Sequence, residues 1–322
     1  MPGSTTLRKV VLSAVLLFSL SPHVTVAQSA PSAQSGQSLD DAWWTGPVAA
    51  SSAGTLPRGH YLIEPYFFDV IEPHSHYYGS LTYLIMGLGE HVAGGLIPTF
   101  GYNSAPGANS SHVGVGDLGL LGQYRLTQFH RGSAMPTISF VVQENLPTGK
   151  YDELGDKPGD GMGSGAYKTT VSLYSQTYFW MPTGRILRAR LNASESFSTH
   201  PDLRNVSVYG TPQGFRGKAK PGNSFFGDLA GEYSLTRNWV LAMDLLYVSS
   251  GSTYVSGLAQ FEAGPTQTLA FHSGSSMAFG FVPAVEYNFT GNLGVIAGAR
   301  IFKGNRSSVG TTTPVVAINF VR

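Results

Sequence analysis

Residues 223–250 read NSFFGDLAGEYSLTRNWVLAMDLLYVSS, two alternating runs joined at a tight Arg237-Asn238 link. In the first run Phe225, Leu229, Tyr233 and Leu235 share one parity, while Asp228, Ala230, Glu232 and Ser234 share the other. In the second, Trp239, Leu241, Met243, Leu245 and Tyr247 alternate with a set that contains Asp244. Successive side chains of a strand point to opposite faces, so each run is a strand with one apolar and one polar face. Residues 273–290 repeat the pattern, with Phe279, Phe281, Val285, Tyr287 and Phe289 set against Glu286 and Asn288. The aromatic residues gather near strand ends, as the interfacial girdles of a membrane barrel require.

Working outward, twelve such segments lie near 60–70, 77–88, 92–103, 115–127, 135–148, 167–181, 186–198, 223–236, 239–250, 273–290, 293–304 and 312–322. Most are long enough for a tilted membrane strand, about 9–11 residues of which cross the hydrocarbon. The links alternate in length. Gly89-Glu90-His91, 182–185, Arg237-Asn238 and Gly291-Asn292 are tight turns; 104–114, 149–166, 199–222 and 251–272 are long and rich in Gly, Ser, Asn and Asp. Short turns on the periplasmic side and long loops outside are the pattern of bacterial outer-membrane barrels. The link near Pro73 to Ser75 should be external yet is short, which leaves the count of twelve open by two.

Composition points the same way. Charged residues are 12% of the chain, against roughly 25% in soluble proteins, too few to cover a water-facing sandwich. The net charge of +1 offers no basic excess, so nucleic acid is not an expected partner. Arg8 and Lys9, the apolar run 10–20 and the small residues Thr25-Val26-Ala27 read as an export signal over 1–27. With no later apolar run of 18 residues, no membrane helix is expected. The chain has no cysteine, which excludes a disulfide framework and a lipid-modified N-terminal Cys. Residues 28–59 lack periodicity and read as a periplasmic lead-in rather than a packed element; whether Trp43 and Trp44 close the barrel from below is left open. The expected organisation is therefore signal 1–27, lead-in 28–59 and an all-β, single antiparallel transmembrane barrel of about twelve strands over 60–322, in the cell outer membrane.

Several segments carry a resemblance: Gly116-Asp117-Leu118-Gly119 leading into Gln123-Tyr124-Arg125-Leu126, then Leu146-Pro147-Thr148-Gly149-Lys150-Tyr151, the glycine stretch 161–165, and Gly227-Asp228-Leu229 running to Glu232-Tyr233-Ser234-Leu235. Together with Asp41-Ala42-Trp43-Trp44-Thr45-Gly46-Pro47, they resemble the outer-membrane family named for the MetA pathway of phenol degradation. That resemblance implies a barrel moving aromatic or other apolar small molecules across the outer membrane.

Parity assigns Asp117, Gln123, Arg125, Arg188, Arg190, Asn192, Asp228, Glu232, Asp244, Glu286 and Arg300 to the lumen. Such a mixed set fits a constriction that orients a solute, and equally fits a structural network of paired charges. Glu144 and Glu195 fall on the lipid-facing parity near outer strand ends, where charge is tolerated. Gly114-Val-Gly-Asp-Leu-Gly119 has dinucleotide-loop spacing but is followed by a strand rather than a helix. Pro147-Thr148-Gly149-Lys150 lacks the glycine a phosphate loop needs, Glu144 standing in its place. His74 and His76 beside Glu72 offer two imidazoles and a carboxylate, a possible metal site that reads more readily as a plain polar loop, and the acidic loop Asp152, Glu153, Asp156 and Asp160 lacks the ligand spacing of a calcium loop. His112, His200 and His272 have loop serines nearby, the residue types of a rim lipid hydrolase, without a specific spacing. No metal, cofactor or enzyme activity is expected. The expected partners are outer-membrane lipid and lipopolysaccharide, the barrel-insertion machinery, for which Phe320 stands two places before the chain end, and a small-molecule solute. The leading reading is a channel or carrier. A non-conducting adhesive or structural barrel is the alternative, with a lipid-modifying enzyme behind it.

Overall fold

The computed structural model describes residues 36–260, 264–305 and 308–322. The export signal expected at 1–27 therefore lies outside the described residues. Eighteen strands follow in order: β1 (Tyr61–Glu72), β2 (Ser75–Gly87), β3 (Val92–Ile97), β4 (Thr99–Ser104), β5 (Gly114–Val115), β6 (Leu118–Thr127), β7 (Thr137–Leu146), β8 (Lys168–Trp180), β9 (Ile186–Ser198), β10 (Asp202–Arg204), β11 (Phe215–Lys220), β12 (Ser224–Ser234), β13 (Trp239–Ser250), β14 (Tyr254–Ala259), β15 (Gln267–His272), β16 (Ser276–Thr290), β17 (Leu293–Phe302) and β18 (Thr311–Val321).

Fourteen of these form one closed sheet. β3 and β4 pair with the same strand, β2, and are two halves of one stave interrupted at Pro98, which has no N–H to donate. β5 and β6 are likewise one stave, broken at Gly116-Asp117. The barrel thus has twelve antiparallel staves, as the alternation predicts. β1 pairs with β18 and closes the ring, with Tyr61 N–H donating to Arg322 O at 2.7 Å and Arg322 N–H returning to Tyr61 O at 2.9 Å. Closure is what lipid demands, since an unpaired backbone group has no water there to bind.

Among the aligned staves the predicted faces hold. On β13 Leu241, Met243 and Leu245 are exposed to the outside while Asp244 is fully buried. Glu144 and Glu195 share the outward parity of Val142, Leu191 and Phe197, and Thr169 Oγ1 donates to Glu144 at 2.6 Å. Aromatic pairs ring both rims, Trp239–Tyr287 at 4.7 Å near the inner turns and Tyr247–Phe279 at 5.0 Å near the outer ends. Leu245 sits at the middle of the lipid belt. Leu245→Arg is expected to lower unfolding stability in phospholipid vesicles by about 2–4 kcal/mol, and Leu235→Arg, near the inner rim, by about 0–1 kcal/mol. Equal losses at the two depths would contradict this membrane register.

Two features were not legible from alternation. The links 199–223 and 251–275 contain β10, β11, β14 and β15, which form a separate four-stranded sheet above the outer rim. Its core is Leu203, Phe215, Ala219, Val255 and Ala259, with Tyr151 and Tyr209 packed against it. Gly217 faces Gly257 across this sheet, and a Cβ on either would lie 2.7 Å from the end of the Phe215 ring, so the glycine pair makes room for that side chain. The loop 147–167 is tied to the sheet by Leu154 N–H to Val206 O at 3.0 Å and Tyr209 Oη–H to Ser164 O at 2.7 Å. It is tied to the neighbouring loop by Ser111 N–H to Asp160 at 2.6 Å, a bond that holds the Asp160 carboxyl below its ordinary range.

The second feature is the lead-in. Expected as an unpacked periplasmic segment, residues 37–55 run up into the barrel and return. The reason is local: nine of the fourteen residues from Ala42 to Thr55 are Ala, Gly, Ser or Pro, slender enough for a second chain to lie beside the wall. The small side chains of Ala242, Ala284 and Ala317 form the seat for its Val48.

Candidate solute pathway through the barrel

Apart from a single 3-10 turn at Leu39–Asp41 the lead-in has no regular structure, so it brings backbone groups that no sheet satisfies, and buried groups of that kind must find side-chain partners. The barrel wall supplies them. Gln37 N–H bonds Gly184 O at 2.9 Å and Trp180 Nε1–H bonds Gln37 O at 2.8 Å, anchoring the segment at the inner turns. The Trp43 ring lies under Arg237 at 5.2 Å, and Asn288 Nδ2–H donates to Trp43 O at 3.1 Å. Higher up, Thr45 N–H and Gly46 N–H donate to Glu286 at 2.8 and 3.3 Å, and Ala49 N–H and Ala50 N–H donate to Asp244 at 3.2 and 3.0 Å. The opposite wall donates instead: Arg190 to Ala50 O at 2.6 Å, Asn192 to Ser51 O at 3.0 Å, Gln123 to Ser52 O at 3.1 Å and Ser139 Oγ to Ala53 O at 2.5 Å. Gly46 carries a φ of +123°, and a Cβ there would come within 3.4 Å of the Arg190 guanidinium. A side chain at this bend is therefore both strained and crowded.

Beneath this segment a charged cluster ties β9 to β12. The register sets Arg188 opposite Glu232. Arg188 grips Glu232 bidentately, one contact from Nε at 2.6 Å and a second from Nη2, and Arg190 Nε reaches the same carboxylate at 3.2 Å. The Trp44 ring covers the Arg188 guanidinium at 4.7 Å.

Of the eleven residues assigned to the lumen by parity, Gln123, Arg188, Arg190, Asn192, Asp228, Glu232, Asp244 and Glu286 are buried together around the lead-in. Arg125 reaches the inner turn, donating to Glu90 O at 2.9 Å. Arg300 stands apart in the outer half. Asp117 is the exception. It sits at the break between β5 and β6 and accepts from Gly149 N–H at 3.1 Å, Ser164 N–H at 2.9 Å and Ser164 Oγ–H at 2.7 Å, so it fastens the outer loop 147–167. Its parity misleads because the alternation slips by one residue at the break: Val115 faces lipid, and so do Leu120 and Tyr124.

Sequence reasoning missed Glu64, Tyr66, Tyr83, Tyr174 and Tyr178. Glu64 is buried and accepts from Asn319 Nδ2–H at 2.9 Å. The signal was present in β1, where Ile63 and Phe67 face out and Glu64 and Tyr66 must therefore face in. Inward tyrosines are hidden by the habit of reading every barrel aromatic as a girdle residue.

The lead-in leaves two spaces. An inner chamber of about 420 Å³ is lined by Trp44, Tyr178, Arg125, Arg188, Arg190 and Glu64 among others. An outer chamber of about 340 Å³ is lined by Phe68, Phe226, Lys168, Arg300 and a ring of hydroxyls from Thr170, Ser172, Ser194 and Ser196. Val48, Ala49 and Ser51 of the lead-in, with Tyr66, Tyr83 and Tyr174 of the wall, border both chambers and form the partition.

No protein-family model matches the chain, and no curated protein matches it in sequence. Among solved structures it is similar to the COG4313 outer membrane channel from Pseudomonas putida F1, with a TM-score of 0.60 at 14% identity over 85% of this chain and 100% of that one. The NanC porin aligns with a TM-score of 0.42 at 10% identity over 80% of this chain and 98% of that one. The TodX deltaS2S3 mutant, a monoaromatic hydrocarbon channel, aligns at 0.32 and 11% over 89% and 97%; likenesses as loose as these two carry no weight. What the first shows is a shared barrel fold; the closed twelve-stave antiparallel ring with its apolar outer belt is that of a protein of the cell outer membrane.

Proposed function

We propose that the barrel is a passive outer-membrane route for small molecules with aromatic or apolar bodies, and that the lead-in sets its bore. The observation that carries this reading is the partition: Tyr66, Tyr83 and Tyr174 face the tip of the lead-in between two chambers, so a solute crossing from one to the other passes three phenol rings. Aromatic faces hold flat apolar solutes by offset or edge contacts worth about 0.5–1.5 kcal/mol each beyond simple burial. The resemblance to the phenol-degradation family supports the same class of cargo. No chemistry on the solute is part of this reading. The natural surroundings would be outer-membrane lipid with lipopolysaccharide outside, after delivery by the barrel-insertion machinery. The ordered sheet over the outer rim favours a second reading, a non-conducting barrel that acts through its external surface.

Planar-bilayer recording of the refolded protein with a graded series of phenols separates the two. The channel reading expects discrete conductance steps blocked saturably by phenols, and Tyr174→Leu weakening that block roughly two- to tenfold, the equivalent of one lost aromatic contact. Silence from protein shown to be folded would sink it.

A further inference from the structure

The charges of the lumen are not evenly distributed over its free space. Four carboxylates, Asp228, Glu232, Asp244 and Glu286, lie on the wall formed by β12, β13 and β16, and all four are buried. The lead-in covers this wall, spending Asp244 and Glu286 on its own N–H groups. Glu232 is spent on Arg188 and Arg190. The two chambers beside the lead-in are bordered, among the described residues, by the cations Arg125, Arg188, Arg190, Lys168 and Arg300 and by a single carboxylate, Glu64. The outer chamber has no carboxylate in its lining. The side chains of Arg300 and Lys168 make no hydrogen bond or ion pair among the described residues. The acid that acts on Lys168 is Asp117, whose two oxygens already accept three bonds from Gly149 and Ser164.

A half-buried guanidinium without a partner is costly to keep, and it is the group best suited to grip a planar carboxylate. Around it stand Phe68, Phe226 and Tyr174, which offer an apolar surface, and a chamber of about 340 Å³ falls at the small end of the roughly 300–1,000 Å³ typical of ligand sites. We infer that the outer chamber is a binding site for small aromatic carboxylates, with Arg300 and Lys168 holding the carboxylate and the aromatic side chains holding the ring. This narrows the solute class and rests on the channel reading.

Benzoate and benzyl alcohol share a ring and differ in charge, so they make the test. In a bilayer under a salt gradient, the reversal potential should report preference for chloride over potassium. Benzoate should block at a concentration at least tenfold below benzyl alcohol, and the double variant Arg300→Gln, Lys168→Gln should remove that difference. Conductance that prefers cations, or equal block by the two probes in the parent protein, would overturn the anion site while leaving the channel itself standing. If the folded protein does not conduct, the channel reading falls, and the site is judged by calorimetry in detergent. Benzoate heat that disappears in the double variant would keep the site; no difference between parent and variant would end it.

Discussion

Deletion of residues 38–54, which joins Gln37 directly to the stretch before β1, is expected to raise single-channel conductance several-fold and to move ion preference toward cations. The bore of a twelve-stave barrel lies between filled eight-stranded barrels and the open channels of sixteen, and here the segment that divides the lumen is the lead-in itself. Its removal merges the chambers. It also uncovers Asp244 and Glu286, whose oxygens then face water instead of the N–H groups of Thr45, Gly46, Ala49 and Ala50. The barrel should survive, because none of the hydrogen bonds between staves involves the deleted residues. Conductance and reversal potential in planar bilayers measure both effects at once. Unchanged conductance would mean that ions do not pass beside the lead-in, and the partition would lose its meaning.

The second large effect is on stability. Arg188→Leu is expected to cost about 3–5 kcal/mol of unfolding free energy, because it strands a buried carboxylate. Glu232 is fully buried and would keep only Arg190, itself engaged with Ala50 O. The companion change Glu232→Leu in the same chain should recover most of the loss, since replacing a buried pair by apolar residues is often neutral. A double-mutant cycle from urea titrations in lipid vesicles decides it. A single-variant loss below about 1 kcal/mol would place the pair among the weak, water-screened kind.

The barrel was legible because lipid and lumen impose opposite demands on alternate residues, and Trp239 to Tyr247 states that demand without interruption. Loop asymmetry then oriented it, and even the doubtful outer link is real: β1 and β2 join through Pro73-His74 alone. The sheet above the rim escaped because β10, β11, β14 and β15 are three to six residues long and set among loop-forming residues, too short for a period of two to register. Of the pathway, parity found the charged wall but misplaced Asp117, because a one-residue slip at Gly116 reverses every assignment on one side of it. The lead-in escaped for a different reason. It is ordered by bonds to its main chain, and main-chain bonding from side chains leaves no periodic trace in the sequence of the segment that receives it.

That mode of attachment separates holding from sorting. The wall addresses the lead-in through peptide groups that every residue type except proline carries in full, so the side chains at Ala49 and Ser51 can change without giving up those bonds, whereas Val48 is also held by its seat of Ala242, Ala284 and Ala317. Those are the side chains that border both chambers. A lineage could therefore retune which molecules pass by drifting at Ala49 and Ser51, while the scaffold that presents them stays untouched.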